Sequence, residues 1–239
     1  MADEFVTTAL TDGVAELILN RPQRRNALVG PMLEQLTAAV RGLSHDDTAR
    51  AIVFRGEGGT FCSGHDLKEL QAEPRPSWAN SLAKVFRETN IALFECPKPI
   101  VGALEAFAIN AGAALALSCD LLVAGKSAFL QVGEIQQGAG IANNAAWMRL
   151  RVGEGVALRV ALYGERVPAQ ELYRLGLATE VVEDRDVIER ARALALRIAG
   201  FPNAQRTKAD IRAQSGITDA RMWFREQSSS VLLNAARVS

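Results

Sequence analysis

The chain has 239 residues, 49% of them hydrophobic and 23% charged, which is ample for one large domain with a true core. Its 27 basic residues balance its 27 acidic ones, which argues against bulk attraction to nucleic acid or to an anionic membrane. No apolar run approaches the ~20 residues of a membrane span, and the acidic start MADEF is unlike a basic signal or transit segment. The three cysteines (Cys62, Cys96 and Cys119) include no CxxC, and only two histidines accompany them (His45 and His65). A metal-free cytoplasmic protein without disulfides is expected.

In chain order, VAELILN (14–20) reads as a strand stopped at Arg21-Pro22. Pro31 then opens a helix with Leu33, Leu36, Val40 and Leu43 at helical spacing. AIVF (51–54) is a second strand, and it leads into GTFCSGHDLKEL (59–70). Two readings of that stretch stand. It is a plain turn into a helix, with Asp66 as N-cap and Glu69 completing a capping box. Alternatively, its small residues bring a backbone N–H up to a ligand. Beyond Pro74 and Pro76, a helix from Ser77 places Trp78, Leu82 and Phe86 on one face. Residues 100–104 form a third strand, NAGAALALS (110–118) a helix of small residues, and DLLVA (120–124) a fourth strand. The rest is largely helical, with a short strand at TEVVE (179–183), and the last ~35 residues read as two helices. Strand and helix alternate with no linker, so the class is α/β.

FCSGHDLKEL and KPIVGALEAFAINAGAALALSCDLLVA, taken with NRPQRRNAL and LYGERVPAQELYRLGLATEVV, resemble four blocks of the enoyl-CoA hydratase/isomerase (crotonase) superfamily, in the family's order and over roughly three-quarters of the chain. The resemblance implies a crotonase-like spiral of ββα units with a C-terminal helical region, an acyl-CoA thioester substrate and no cofactor. It implies a core over 1–200 holding the acyl-CoA site, and a helical trimerisation region over 201–239. It also implies assembly into trimers that pair as hexamers.

The same resemblance answers the question raised by Ser-Gly-His-Asp. The backbone N–H of His65 and that of Ala111 are implied as two donors to a thioester oxygen that becomes negative during reaction, one such donor being worth ~3 kcal/mol. For His65 the role belongs to the N–H, and a packing or capping role for its imidazole is compatible with it. Ala27, Cys62, Gly64, Asp66, Leu67 and Gly112 are implied to lie along the substrate. Asp66 as a structural N-cap, and Cys62 and Cys119 as packed small residues, are the plain readings beside it.

Hydratases of the family use two glutamates. The first position falls on Ala114, which carries no acid. The second, fourteen residues after Asp120, falls on Glu134. There LQVGEIQQG stands for the family's FGxPExxxG, and AGIANN replaces its PGxGG turn. One acid suits double-bond migration, as in the family's 3,2-enoyl-CoA isomerases, whereas hydration divides its work between paired carboxylates. Burial beside Val132 and Ile135 is expected to raise the pKa of Glu134. A rearranged hydratase, with Glu105 replacing the lost acid, and a silent acyl-CoA-binding member are the alternatives.

For the CoA handle, Arg24, Arg25 and Lys208 match basic positions near the nucleotide, each of them also readable as an ordinary solvated cation. Trp78, Leu82 and Phe86 lie in the segment that roofs the acyl chain in relatives, or form core. The chain stops at SSSVLLNAARVS, so the site is expected to be more open at that edge. The cluster RMWF (221–224) is expected to bury apolar surface against a second subunit.

Overall fold

In the computed structural model, which describes residues 3–225, the chain opens with a hairpin. Val6–Thr11 (β1) and Val14–Leu19 (β2) pair antiparallel across Asp12-Gly13, a dipeptide suited to a tight hairpin turn. Gly30–His45 (α1) buries Leu33, Leu36, Val40 and Leu43, the stripe expected from its spacing, together with Met32. Ala51–Gly56 (β3) lies parallel to β2. The segment after it forms only one short helical turn, Leu67–Leu70 (α2). The helix expected from Ser77 is divided: a 3-10 turn holds Ser77–Asn80, and Leu82–Glu95 (α3) follows.

Ile100–Leu104 (β4), Phe107–Ile109 (β5) and Ala111–Ser118 (α4) form one turn of a spiral. Leu121–Gly125 (β6), Phe129–Gln131 (β7) and Ala142–Arg151 (α5) begin the next. Glu154–Tyr163 (α6), Arg166–Pro168 (β8), Ala169–Arg174 (α7) and Glu180–Val182 (β9) complete the body. Val187–Ala199 (α8), Ala204–Ala213 (α9) and Ala220–Trp223 (α10) close the described chain. The short strands β5, β7 and β8 and the first strand β1 escape the hydropathy reading. Three residues are too few to show a period of two, and the six residues of β1 bury only Val6 and so show no alternation.

Each repeat sends one strand to each of two sheets. The larger sheet runs β1-β2-β3-β4-β6-β9, parallel from β2 onward, and the smaller runs β5-β7-β8. Phe61 and Cys62 extend the smaller sheet without being a full strand: Cys62 N–H donates to the Phe107 carbonyl, and Ile109 N–H to the Cys62 carbonyl, each at 3.1 Å. The spiral of ββα units is the crotonase fold. Because the parallel strands are covered on both faces, their side chains divide between two cores. Ile52 and Phe54 enter the large core between the sheets, and Ala51 and Val53 meet α8 on the far side.

The C-terminal helices dock on this same body. Arg212 lies over the rings of Phe94 and Trp147, and Arg221 pairs with Glu88 at 2.6 Å. RMWF is not an uncovered cluster. Phe224 is buried against Phe94 and Trp147, Trp223 is partly buried, and of its three apolar residues only Met222 is open to solvent. The tail SSSVLLNAARVS lies outside the described residues. Among the described residues, no helix is long and apolar enough to cross a membrane, and no three His, Cys, Asp or Glu side chains gather to hold a metal.

Candidate active site

Two strand ends place two backbone turns side by side. In the first, Gly64 has φ +89°, and a Cβ there would stand 2.8 Å from the Ile109 carbonyl and 3.7 Å from the Ala111 nitrogen. In the second, a Cβ on Gly112 would stand 2.5 Å from the Cys62 carbonyl and press on its sulfur. Only glycine lets the turns approach so closely. Leu28 then bridges the first turn: its N–H donates to the Gly64 carbonyl, and its carbonyl accepts from Asp66 N–H. This bridge passes over His65, whose N–H has no acceptor among the described residues, and the same holds for Ala111 N–H at the start of α4. Two unpaired donors on neighbouring turns are suited to holding a negative oxygen.

Asn110, just before α4, has φ 53°, a strained backbone for a residue with a side chain. Three other elements hold it there. Its N–H donates to the Gln131 carbonyl at 2.8 Å, its Oδ1 accepts from Gly133 N–H at 2.8 Å, and its carbonyl accepts from Asn144 Nδ2 at 3.0 Å. Gly133 leads directly into the 3-10 turn Glu134–Gln137. Asn144 is buried in α5, and its Nδ2 also donates to Glu134 Oε1 at 2.8 Å. The acid found by counting is thus tied, through one amide, to the start of the helix that carries Ala111.

Among the described residues Glu134 has no cation partner. Burial pushes its pKa up to about 7, against the pull of its own N–H and of Asn144. Oε2 is buried without a partner. Val132 is buried, as expected, but Ile135 is exposed, so the shielding comes from elsewhere in the fold. A carboxyl poised near neutrality is equipped to take and return a proton. Glu105 is also half-buried and raised by burial, but its charged neighbours are Arg55 and Glu57. No hydrogen bond among the described residues links its carboxyl to either turn. Ala114 lies fully buried in α4 and supplies no second acid.

The other predicted residues divide sharply. Asp66 does cap α2, accepting from Glu69 N–H at 3.1 Å. The capping box is half made, because Asp66 N–H goes to Leu28 and the Glu69 carboxylate to Arg21. Arg21, which the sequence reading passed over, is buried and pairs with Asp66 at 2.7 Å, and Arg24 joins at 3.2 Å. Arg24 is therefore engaged rather than a free phosphate ligand, while Arg25 is exposed. Ala27 is buried, its carbonyl accepting from Arg21 at 3.0 Å, and Leu67 is exposed. Cys62 donates to the Asn26 carbonyl at 3.1 Å, and burial pushes its thiol up to about 12, as it does that of Cys119. Neither thiol is a nucleophile at neutral pH.

Leu82 and Phe86 are buried in the large core, and Trp78 covers Gly30. The His65 ring packs edge-on to Phe86 at 5.0 Å, and burial lowers its pKa to about 4, so the imidazole is neutral at pH 7. Lys208 is held by its own chain. Its ammonium contacts Asp120 at 2.7 Å and the Lys98 carbonyl at 2.8 Å. It lines a cavity of about 580 Å³ beside Trp147, Phe201 and Arg212 that shares no residue with the two turns or with Glu134. Asp120 also buttresses β4, accepting from Ile100 N–H at 2.8 Å.

Known proteins carry the same plan. Residues 9–231 match the model of the family described as enoyl-CoA hydratase/isomerase. A protein of Rhodobacter capsulatus named "Probable enoyl-CoA hydratase" is 36% identical over 85% of this chain and 79% of its own. The 1,2-epoxyphenylacetyl-CoA isomerase of Escherichia coli is 32% identical over 83% of this chain and 78% of its own. The crystal structure of an enoyl-CoA hydratase/isomerase from Xanthobacter autotrophicus superposes with a TM-score of 0.83 at 29% identity, covering 98% of this chain and 87% of that one. With matching blocks, matching fold and a family match over nearly its whole length, the chain belongs to the enoyl-CoA hydratase/isomerase family.

Proposed function

We propose that this chain moves a double bond in an enoyl-CoA thioester, as a 3,2-enoyl-CoA isomerase with Glu134 as its single base. The thioester oxygen sits between the N–H groups of His65 and Ala111. Glu134 takes a proton from C2 of a 3-enoyl-CoA, and the electron pair moves into a dienolate whose oxygen the two N–H groups hold. The protonated carboxyl then returns the proton to C4, giving the 2-enoyl-CoA and regenerating the carboxylate. No water is consumed, and one acid–base group suffices.

The observation that carries this reading is the buried Glu134 carboxyl, tied through Asn144 to the turn before Ala111, with no cation partner among the described residues and no acid at Ala114. Support comes also from the 32% identical relative whose name describes an isomerisation on an acyl-CoA. The relative named as a hydratase motivates the rival reading, but hydration divides its proton work between two acids and Ala114 offers none. Assembly into trimers paired as hexamers, with 201–239 as the assembling region, belongs to the same proposal. RMWF no longer motivates it, since Phe224 is covered by its own chain.

Incubation with 3-hexenoyl-CoA and, separately, crotonyl-CoA, followed by product analysis, tests the reading. The expected outcome is 2-hexenoyl-CoA from the first and little 3-hydroxybutyryl-CoA from the second. Rapid hydration without isomerisation overturns it in favour of a hydratase, and no reaction with either in favour of a silent binder.

A further inference from the structure

Asn144 is a polar side chain on α5 that is only 2% exposed. Both of its known hydrogen bonds leave α5, one going to the Asn110 carbonyl at 3.0 Å and one to Glu134 Oε1 at 2.8 Å. Its own Oδ1 is buried without a partner. A side-chain amide has two donor hydrogens on nitrogen and none on oxygen. Turning the amide over would set Oδ1 against the Asn110 carbonyl, two acceptors face to face in a buried place, which the fold disfavours strongly. The Asn110 carbonyl therefore holds the NH₂ group where it is, and the second hydrogen must point at Glu134 Oε1.

We infer that Asn144 is a positioning residue that decides which oxygen of Glu134 carries the proton, and that it couples the base to the helix bearing the Ala111 donor. A proton on Oε1 would face the amide hydrogen and lose the bond. Oε2, buried and unpartnered, is left as the oxygen that accepts the substrate proton and gives it back. Asn110 completes the coupling: it immediately precedes Ala111 and is held by Gly133, the neighbour of Glu134. Donor and base thus share a single brace, so their spacing is set by side-chain hydrogen bonds and not by the loop 138–141 alone.

The inference rests on Glu134 being the base, and the two are separable. Asn144 also favours the ionised carboxylate, because a donor to the charged form lowers a carboxyl's pKa. No charged group among the described residues acts on Glu134. The groups acting on Glu134 are burial, its own N–H and Asn144. On the elements around it, α4 carries no charged residue, Arg151 of α5 donates to the Leu117 carbonyl, and Arg149 of α5 pairs with Glu154 of α6. Arg159 of α6 pairs with Glu171, Arg166 lies over Phe129, and Glu165 is exposed.

Asn144→Leu keeps the volume, excludes water and removes the donor. In protein labelled with ¹³C at the glutamate carboxyls, with the Glu134 signal assigned by its loss in Glu134→Gln, the wild-type midpoint is expected near 7. Asn144→Leu should raise it by about one pH unit. Exchange of the C2 protons of hexanoyl-CoA in D₂O at pH 7 should slow about tenfold or more in the same variant. Asn144→Ser, which retains one donor, should give an intermediate midpoint, and it carries the test if circular dichroism shows the leucine variant unfolded. A midpoint that stays or falls in Asn144→Leu, or one in the serine variant equal to wild type if that is the variant tested, overturns the inference. Wild-type exchange in Glu134→Gln overturns instead the reading of Glu134 as base, whatever the midpoints do.

Discussion

Asp66 and Glu134 sit close to the two turns of the candidate site, and the fold treats them in opposite ways. Asp66 lies between Arg21 and Arg24 and accepts the Glu69 N–H. Burial pushes its carboxyl up, but the hydrogen bond from Arg21 and the other partners outweigh burial and hold it below the usual carboxylate range. Glu134 meets one neutral amide, and burial leaves its pKa near 7. An acid with two cations is committed to being a carboxylate and serves as a tie. An acid with none changes charge near neutrality and is available for chemistry.

The sharpest way to break that contrast is to remove each acid in turn. Glu134→Gln should lower turnover of 3-hexenoyl-CoA by about 10²–10⁴ while leaving CoA-thioester affinity nearly unchanged, measured by steady-state kinetics and calorimetry. Wild-type turnover would remove Glu134 from the mechanism and direct attention to Glu105. Asp66→Asn should act on stability instead. It leaves the buried Arg21 guanidinium with only the part-exposed Glu69 carboxylate as its anion, and chemical denaturation at pH 7 should show a loss of about 2–3 kcal/mol, short of the ~3–5 kcal/mol of a fully unpaired buried charge. A loss below ~1 kcal/mol would mean that the ion pair does not organise the turn.

The pH dependence sharpens the comparison further, because the two signs differ. The folded state holds Glu134's proton between the ordinary 4.5 and about 7, while the unfolded chain releases it. The wild type therefore loses stability as pH rises through that window, by about 3 kcal/mol in all. Glu134→Gln should be more stable than wild type by up to about that amount at pH 8, and no more stable below pH 4.5. Asp66 behaves conversely: its contribution is present above the ordinary 3.8 and is lost as pH falls through its lower folded value. Denaturation curves at pH 3, 4.5, 6 and 8 separate the two, since only the lowest value enters the Asp66 window, and a Glu134→Gln gain that does not grow between pH 4.5 and 8 would remove the raised pKa.

Much of this site is legible in one dimension. The spacing of Gly64, His65 and Asp66 after a buried strand, and of Asn110, Ala111 and Gly112 before a small-residue helix, marks two close backbone approaches. A Cβ on Gly64 would stand 3.7 Å from the Ala111 nitrogen. Counting from Asp120 finds Glu134, and the absence of an acid at Ala114 is plain in the text of the chain. The resemblance identifies the spiral, although strands as short as β5 and β8 carry no periodicity of their own.

What the sequence leaves open is every pairing between distant elements. Lys208 and Arg24 read as free cations until Asp120 and Asp66 come to meet them. RMWF reads as exposed until Phe94 and Trp147 cover Phe224. Asn144 reads as one more polar residue in AGIANN, and its importance appears only where Asn110 and Glu134 converge on one amide. Residue type and spacing determined the turns by themselves, because a missing Cβ is a local property that the chain carries wherever it goes. Which carboxyl is a tie and which a base was decided by the tertiary structure, because a carboxyl's pKa is set by the cations, donors and solvent that folding brings to it or takes away.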